Sequence, residues 1–340
     1  MTETRGTPSD ASLLALPKAE LHLHIEGTLE PELAFELAER NGVSLPFPSV
    51  ADLAAQYDFA DLQSFLDLYY ATMAVLQTAD DFADLTRRYL RRAHSQGVRH
   101  AELFFDPQAH TSRGVPFDDV VDGISLALDE AERDFAMTGG LILCFLRDQP
   151  VASAEEALTA GLARGDRIIG VGLDSAEVGY PPSLFEGVYA RARAAGLHAV
   201  AHAGEEGPPE YVREALDLLH AERIDHGIRS IEDPALVARL AAEGIPLTVC
   251  PLSNLRLQAT PDLREHPLLR LDAAGVRVTV NSDDPAYFGG YAGDNFAAIR
   301  DALDLSEEQA RRLARNSIEA SFASRERKAE LLAELEGWHA

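Results

Sequence analysis

Residues 223–250 read RIDHGIRSIEDPALVARLAAEGIPLTVC. A short β-type run at 223–227 is followed by a helical pattern at 234–243 and a second β-type run at 245–250. Asp233 can cap the helix, Pro234 suits its first turn and Gly244 ends it. Leu236, Val237, Leu240 and Ala241 form its apolar stripe. Strand, helix and strand in this order are the unit of a parallel sheet. Working outward, six further β-type runs occur at 19–25, 98–105, 140–146, 168–173, 197–202 and 276–282, with helical patterns between most of them. Eight such units predict a (β/α)8 TIM barrel, a fold that gathers its chemistry at the strand C-termini. An open doubly wound sheet is the competing arrangement.

The stretch from about 30 to 95 is long for one crossover, so extra helices are expected after the first strand. There Phe59, Leu62, Phe65, Leu66 and Tyr69 have helical spacing. They can close over a flat ligand or simply fill the core. Ser306 and Gln309 have capping-box spacing, and a helical pattern follows them. Residues 1–12 read as a disordered polar lead, and 13–340 as one barrel domain.

The chain has 340 residues and a formal charge of −26. So acidic a surface repels phosphate backbones and anionic lipid, which argues against nucleic-acid and membrane-surface partners. A neutral or cationic small molecule remains suitable. Cys144 and Cys250 lie in apolar runs and read as buried thiols. No apolar run approaches the ~18 residues of a membrane span, and the N-terminus lacks the pattern of a secretory signal. The expected location is cytoplasmic. Composition carries no information on oligomeric state.

The chemistry concentrates at strand ends. The first strand ends His22-Leu23-His24, and alternation puts both imidazoles on one face. An HxH pair alone is more often two ordinary polar residues, so it needs partners. The fifth strand ends with His202, and Glu205 stands three residues on, free to act as an acid. Asp225-His226 ends the sixth strand and Asp283-Asp284 follows the eighth. His or Asp at four strand ends of one barrel rim indicates a metal site. Imidazoles with a carboxylate and a water match hydrolytic zinc. The alternative zinc deaminase pattern, H-x-E followed by P-C-x-x-C, is absent. The other histidines read as surface or internally satisfied.

Taken together, LPKAELHLHIEGTLEP, FFDPQAHTSRGV, GLDSAEVG, VAHAGEEG, RIDHGIRS, VCPLSN and VNSDDPAYFGG resemble the adenosine/adenine deaminase branch of the amidohydrolase superfamily, over about 13 to 322. The resemblance implies a barrel holding one Zn2+ per chain on His22, His24, His202 and Asp283. It implies hydrolytic deamination of a purine, with Glu205 protonating the ring and His226 taking or orienting the water's proton. Asp284 would accept a hydrogen bond from the imidazole ring of the base. Neither Lys18 nor Lys328 is placed to bridge a second metal. Glu26 stands where nucleoside-specific members have an aspartate that contacts ribose, and would reach into that space. The resemblance therefore points to free adenine, converted to hypoxanthine and ammonia in purine salvage. Adenosine, an N6-substituted adenine and aminodeoxyfutalosine are the alternatives, and Ser175, near a purine-contacting glycine of the nucleoside enzymes, keeps them open.

Overall fold

The computed structural model describes residues 7–164 and 167–339. Eight strands form one parallel sheet in sequence order: β1 (Lys18–His24), β2 (Val98–Phe105), β3 (Thr138–Leu146), β4 (Ile168–Asp174), β5 (His198–Ala203), β6 (Arg223–His226), β7 (Pro246–Val249) and β8 (Arg277–Val280). The ends differ from the sequence reading by a residue or two. β6 stops at His226 because Gly227 turns the chain at φ 67°. The sheet closes beyond the β8 ladder. His24 N–H donates to the Asp283 carbonyl at 3.0 Å, and Asp283 N–H donates to the His22 carbonyl at 3.1 Å. A (β/α)8 barrel results.

The helix Pro234–Glu243 is capped as expected, with Asp233 accepting from the amides of Ala235 and Leu236 and Gly244 left-handed at its end. The Ser306–Gln309 capping box is present. The crossover between β1 and β2 holds the helices Pro31–Asn41, Val50–Ala54, Leu62–Thr72 and Ala79–Ser95. One expectation fails at the N-terminus. Residues 1–6 of the predicted lead lie outside the described residues, but Asp10–Ala15 is helical. Ser9 caps it, Leu13 is fully buried and Asp10 pairs with Arg300, so this segment has the contacts to hold it.

Phe104, Ile142, Cys144 and Val200 form a small apolar cluster on which Phe322 packs. The rings of His22, His24 and His202 stand on Phe104, with centroids 5.1–5.7 Å away. Next to the cluster, fully buried Arg223 lies over Phe322, 4.7 Å from the ring centre. It donates to Glu102 at 2.6 Å and to the Leu21 carbonyl at 3.1 Å. Burial alone would raise the Glu102 pKa, but Arg223 and His100 hold it at about 2.

Removing one partner of a buried ion pair costs about 3–5 kcal/mol, because the other charge is left uncompensated. Arg223→Met should lose stability of that order in chemical denaturation. Glu102 has its pKa depressed from 4.5 to about 2. The stability gap between the wild type and the variant should therefore be full above pH 4.5 and shrink as pH falls towards 2. A gap independent of pH in that window would assign the loss to packing.

Candidate active site

The C-terminal strand ends bring five of the predicted residues to one point. His22 Nε2 lies 3.1 Å from Asp283 Oδ1, and His24 Nε2 lies 3.5 Å from the same oxygen. The Nε2 atoms of His24 and His202 are 3.2 Å apart. Tetrahedral ligands at about 2.05 Å from zinc stand roughly 3.3 Å from one another, so these spacings suit a shared cation. The ligand atoms of His22, His202, His226 and Asp283 all fall within 4.8 Å of one another. That set contains His226 where the sequence reading has His24, so five groups compete for four positions.

Tautomers separate the two. His22 Nδ1 donates to the Thr248 carbonyl at 3.1 Å. Its Nε2 is buried, has no hydrogen-bond partner and keeps a lone pair for a metal. Nδ1 of His24 faces Asp174 at 3.5 Å, and Nδ1 of His202 faces Asp225 at 3.6 Å. His226 is arranged the other way, and the reason lies outside it. The Leu268 amide donates to His266 Nδ1, so His266 donates from Nε2 to Asn254 Oδ1 at 3.1 Å. The Asn254 amide nitrogen then donates to Glu205 Oε1 at 2.9 Å and to His226 Nδ1 at 3.2 Å. Burial, then His22, pushes the His226 pKa down to about 3, so the ring is neutral. Its single proton sits on Nε2, which faces Glu205 Oε2 at 3.3 Å and Asp283 Oδ2 at 3.7 Å. Such a nitrogen can donate to an oxygen but has no lone pair for a metal.

Glu205 is buried, and burial together with the Asp283 charge holds its carboxyl well above the usual range. That shift favours the protonated carboxyl, the form that can donate a proton. Its position is set by Glu177, whose carboxylate accepts from four successive amides. Gly204 lies at 2.6 Å, Glu205 at 3.1 Å, Glu206 at 2.9 Å and Gly207 at 2.8 Å. Sequence reasoning missed Glu177, Asn254 and His266. Glu177 and Asn254 fell inside quoted motifs, but only the fold gives them partners.

Asp284 lines the same cavity, with Oδ1 unpartnered. A Cβ at Gly27 would lie 2.0 Å from that oxygen, so only glycine lets the turn Glu26–Thr28 after β1 approach Asp284 this closely. His226, Asp283 and Ser175 have φ of 59°, 64° and 68° at their strand ends. Non-glycine residues held in this region cost of order 1–3 kcal/mol each, and such strain clusters at functional sites. The cavity, counted together with its solvent-open mouth, spans about 430 Å³. Leu62, Phe65, Leu66 and Tyr69 roof it, while Phe59 packs behind on Phe65, so most of the apolar stripe is lid and core at once.

Glu26 is placed differently from the expectation. It is fully buried, accepts from His110 at 2.7 Å and from the Asp106 amide at 3.1 Å, and does not line the cavity. His110 is turned towards it by Arg113, which donates to Nδ1 at 2.8 Å. The carboxyls that reach the cavity on this side are Asp106 and Asp174.

The closed parallel barrel and its buried His/Asp rim are the hallmarks of the metal-dependent amidohydrolase class. The chain belongs to the adenosine deaminase family, whose model matches residues 17–338. It is 61% identical to an adenine deaminase of Streptomyces coelicolor, covering 97% of this chain and 98% of that one. An adenine deaminase of Sphingopyxis alaskensis is 59% identical, over 96% of each chain. Among solved structures, the adenine deaminase of Arthrobacter aurescens superposes with a TM-score of 0.94 at 59% identity, covering 95% of this chain and 99% of that chain. A zinc-bound amidohydrolase from Burkholderia ambifaria gives 0.90 at 29% identity, covering 98% and 94%. No helix among the described residues is long and apolar enough to cross a membrane.

Replacing Glu177 by alanine leaves four amides without their acceptor. Even if water recovers some of them, a loss of about 2 kcal/mol or more is expected in chemical denaturation, since a hydrogen bond to a charged group is worth about 1.5–3 kcal/mol. Turnover should fall in the variant while its metal content stays at the wild-type level, because none of the metal-facing atoms touches Glu177.

Proposed function

We propose that the protein is a zinc-dependent adenine deaminase that hydrolyses the 6-amino group of adenine, giving hypoxanthine and ammonia. The observation that carries this reading is a buried Glu205, in surroundings that favour its protonated form, beside a His/Asp metal cluster in a cavity roofed by apolar rings. Relatives that bear this name across nearly their full length support the choice of substrate.

In this reading His22, His24, His202 and Asp283 hold the metal. Zinc supplies there a Lewis acid that lowers the pKa of a water to about 7. Glu205 gives its proton to N1, which removes aromatic stabilisation and makes C6 electrophilic. His226 donates from Nε2 to the attacking oxygen and aims it at C6. Of the two roles expected from sequence, its tautomer favours orienting the water over taking its proton. Asp284, whose protonated form is favoured by burial and then by the Asp283 charge, donates to N7 of the five-membered ring, where the sequence reading has it accept. Asp283 Oδ2 relays the remaining hydroxyl proton to the departing amine. The water's first proton replaces the one that Glu205 gave to N1, and its second ends on ammonia. Phe65 and its neighbours cover the base and exclude bulk water.

Two experiments test the reading. Zinc-loaded protein should release ammonia from adenine with a kcat/KM at least ~10²-fold above that for adenosine, about 2.7 kcal/mol in transition-state binding. A preference for adenosine would refute the free-base assignment. Glu205→Gln should keep its zinc and lose about 10²-fold or more in kcat, as for removal of a general acid. His22→Ala, by contrast, should lose stoichiometric zinc by elemental analysis.

A further inference from the structure

Once C6, N1 and N7 have partners, free adenine still presents one polar edge, made by N3 and the N9–H. The cavity likewise has polar groups to spare. Glu205, His226 and Asn254 stand at β5 to β7, and Asp284 follows β8. Asp106 and Asp174 stand at the ends of β2 and β4 and line the same cavity. Both are 2% exposed. Apart from one another and the His24 ring, whose Nδ1 stands 3.5 Å from Asp174, Asp106 Oδ1 and the oxygens of Asp174 have no hydrogen-bond partner among the described residues. A carboxyl oxygen from each lies within 4.8 Å of the other and of a ring nitrogen of His24. Ser175, beside them in the cavity wall, adds a hydroxyl 3.4 Å from that of Tyr70.

Buried carboxyl oxygens without partners are costly unless a ligand satisfies them. A base with an N–H at this edge does so, and a base substituted at N9 does not. We propose that Asp106 and Asp174 form the subsite that selects the free base: their carboxyl oxygens accept the N9–H, and the Ser175 hydroxyl donates to N3. A nucleoside would meet the same oxygens with a carbon substituent, leaving them buried and unpaired. Sites built around such a hydrogen bond can reject the analogue that lacks it by about 10⁴–10⁵, far more than a one-carbon difference in an apolar pocket provides. Selection thus falls to carboxyls on the second and fourth strands rather than to Glu26, which is engaged by His110.

This inference rests on adenine being the substrate, and the test separates the two. The probe is 9-methyladenine, which blocks the N9–H with the smallest carbon group. If the wild type does not turn over adenine, the functional reading fails first. If it does, kcat/KM for adenine should exceed that for 9-methyladenine by about 10³-fold or more. In Asp106→Ala and Asp174→Ala, adenine should lose at least ~10²-fold while 9-methyladenine holds or gains, so that the ratio falls below about 10. Zinc content is measured for each variant, because Asp174 faces the His24 ring. Should Asp174→Ala fail to load zinc, Asp106→Ala carries the comparison. Calorimetric binding of hypoxanthine and 9-methylhypoxanthine to each protein should give the same pattern without turnover. Equal loss on both substrates, with the ratio unchanged, would mean a structural role and overturn the proposal. Two metal ions per chain, falling to one in Asp174→Asn, would overturn it as well, since the pair would then be a cation site.

Discussion

The barrel is closed by two backbone hydrogen bonds between the end of β1 and the residues just beyond β8, and the chemistry depends on that seam. His24 donates to Asp283 and Asp283 donates to His22. These are three of the groups assigned to the metal. Closing the sheet and assembling the ligands are therefore one event. The seam also explains the left-handed backbone at Asp283, with φ 64°. The chain must leave the β8 ladder while still pairing with β1, and an ordinary extended residue cannot do both. Gly27 serves the same junction, since a side chain there would displace Asp284.

Around this seam the protein gathers many acids and sets them to different tasks by surroundings alone. Burial raises Glu205, whereas His22 outweighs burial at Asp283 and holds its carboxyl well below the usual range. Adjacent carboxyls in one cavity thus take opposite roles, a proton donor and a metal-facing anion, the pattern by which one fold runs acid and base chemistry together. Asp174 is raised to about 7 by burial, and Asp106 is raised by burial and by Asp174. These two do not face the metal cluster as Asp283 does. Their cost is borne by the folded protein unless a ligand hydrogen-bonds them.

Much of this was legible in the sequence, for physical reasons. Alternation in a strand is local, so the parity of His22 and His24 could be read directly, as could the cap-to-glycine span of the helix after β6. The strand ends were less certain because they are fixed by partners. β8 ends at Val280 in the ladder but continues to β1 through Asp283. The hidden parts share one property: their role depends on groups that no residue name discloses. Glu177 acts through four backbone amides. His266 acts through the Leu268 amide, two hydrogen bonds away from His226. His110 reads as an ordinary histidine until the fold brings Arg113 to one nitrogen and Glu26 to the other. Asp106 gave a fainter signal that could have been used, since FFDP places a carboxylate at the same kind of strand end as the residues that were found.

Glu26 marks where a local comparison misleads. A carboxylate one methylene longer than aspartate has the length to reach further into the site, but reach depends on where the chain points. Here the added length takes the group to His110 and the Asp106 amide, out of the cavity. A difference of one methylene in a pocket is worth only about 1–3 kcal/mol, too little to reject a nucleoside with certainty. Withholding a partner from a buried carboxyl is a larger effect, because the protein has already removed that group from water. The stronger discriminator is therefore a polar group left incomplete by the fold, and Asp106 and Asp174, in the cavity wall at the ends of β2 and β4, are such groups.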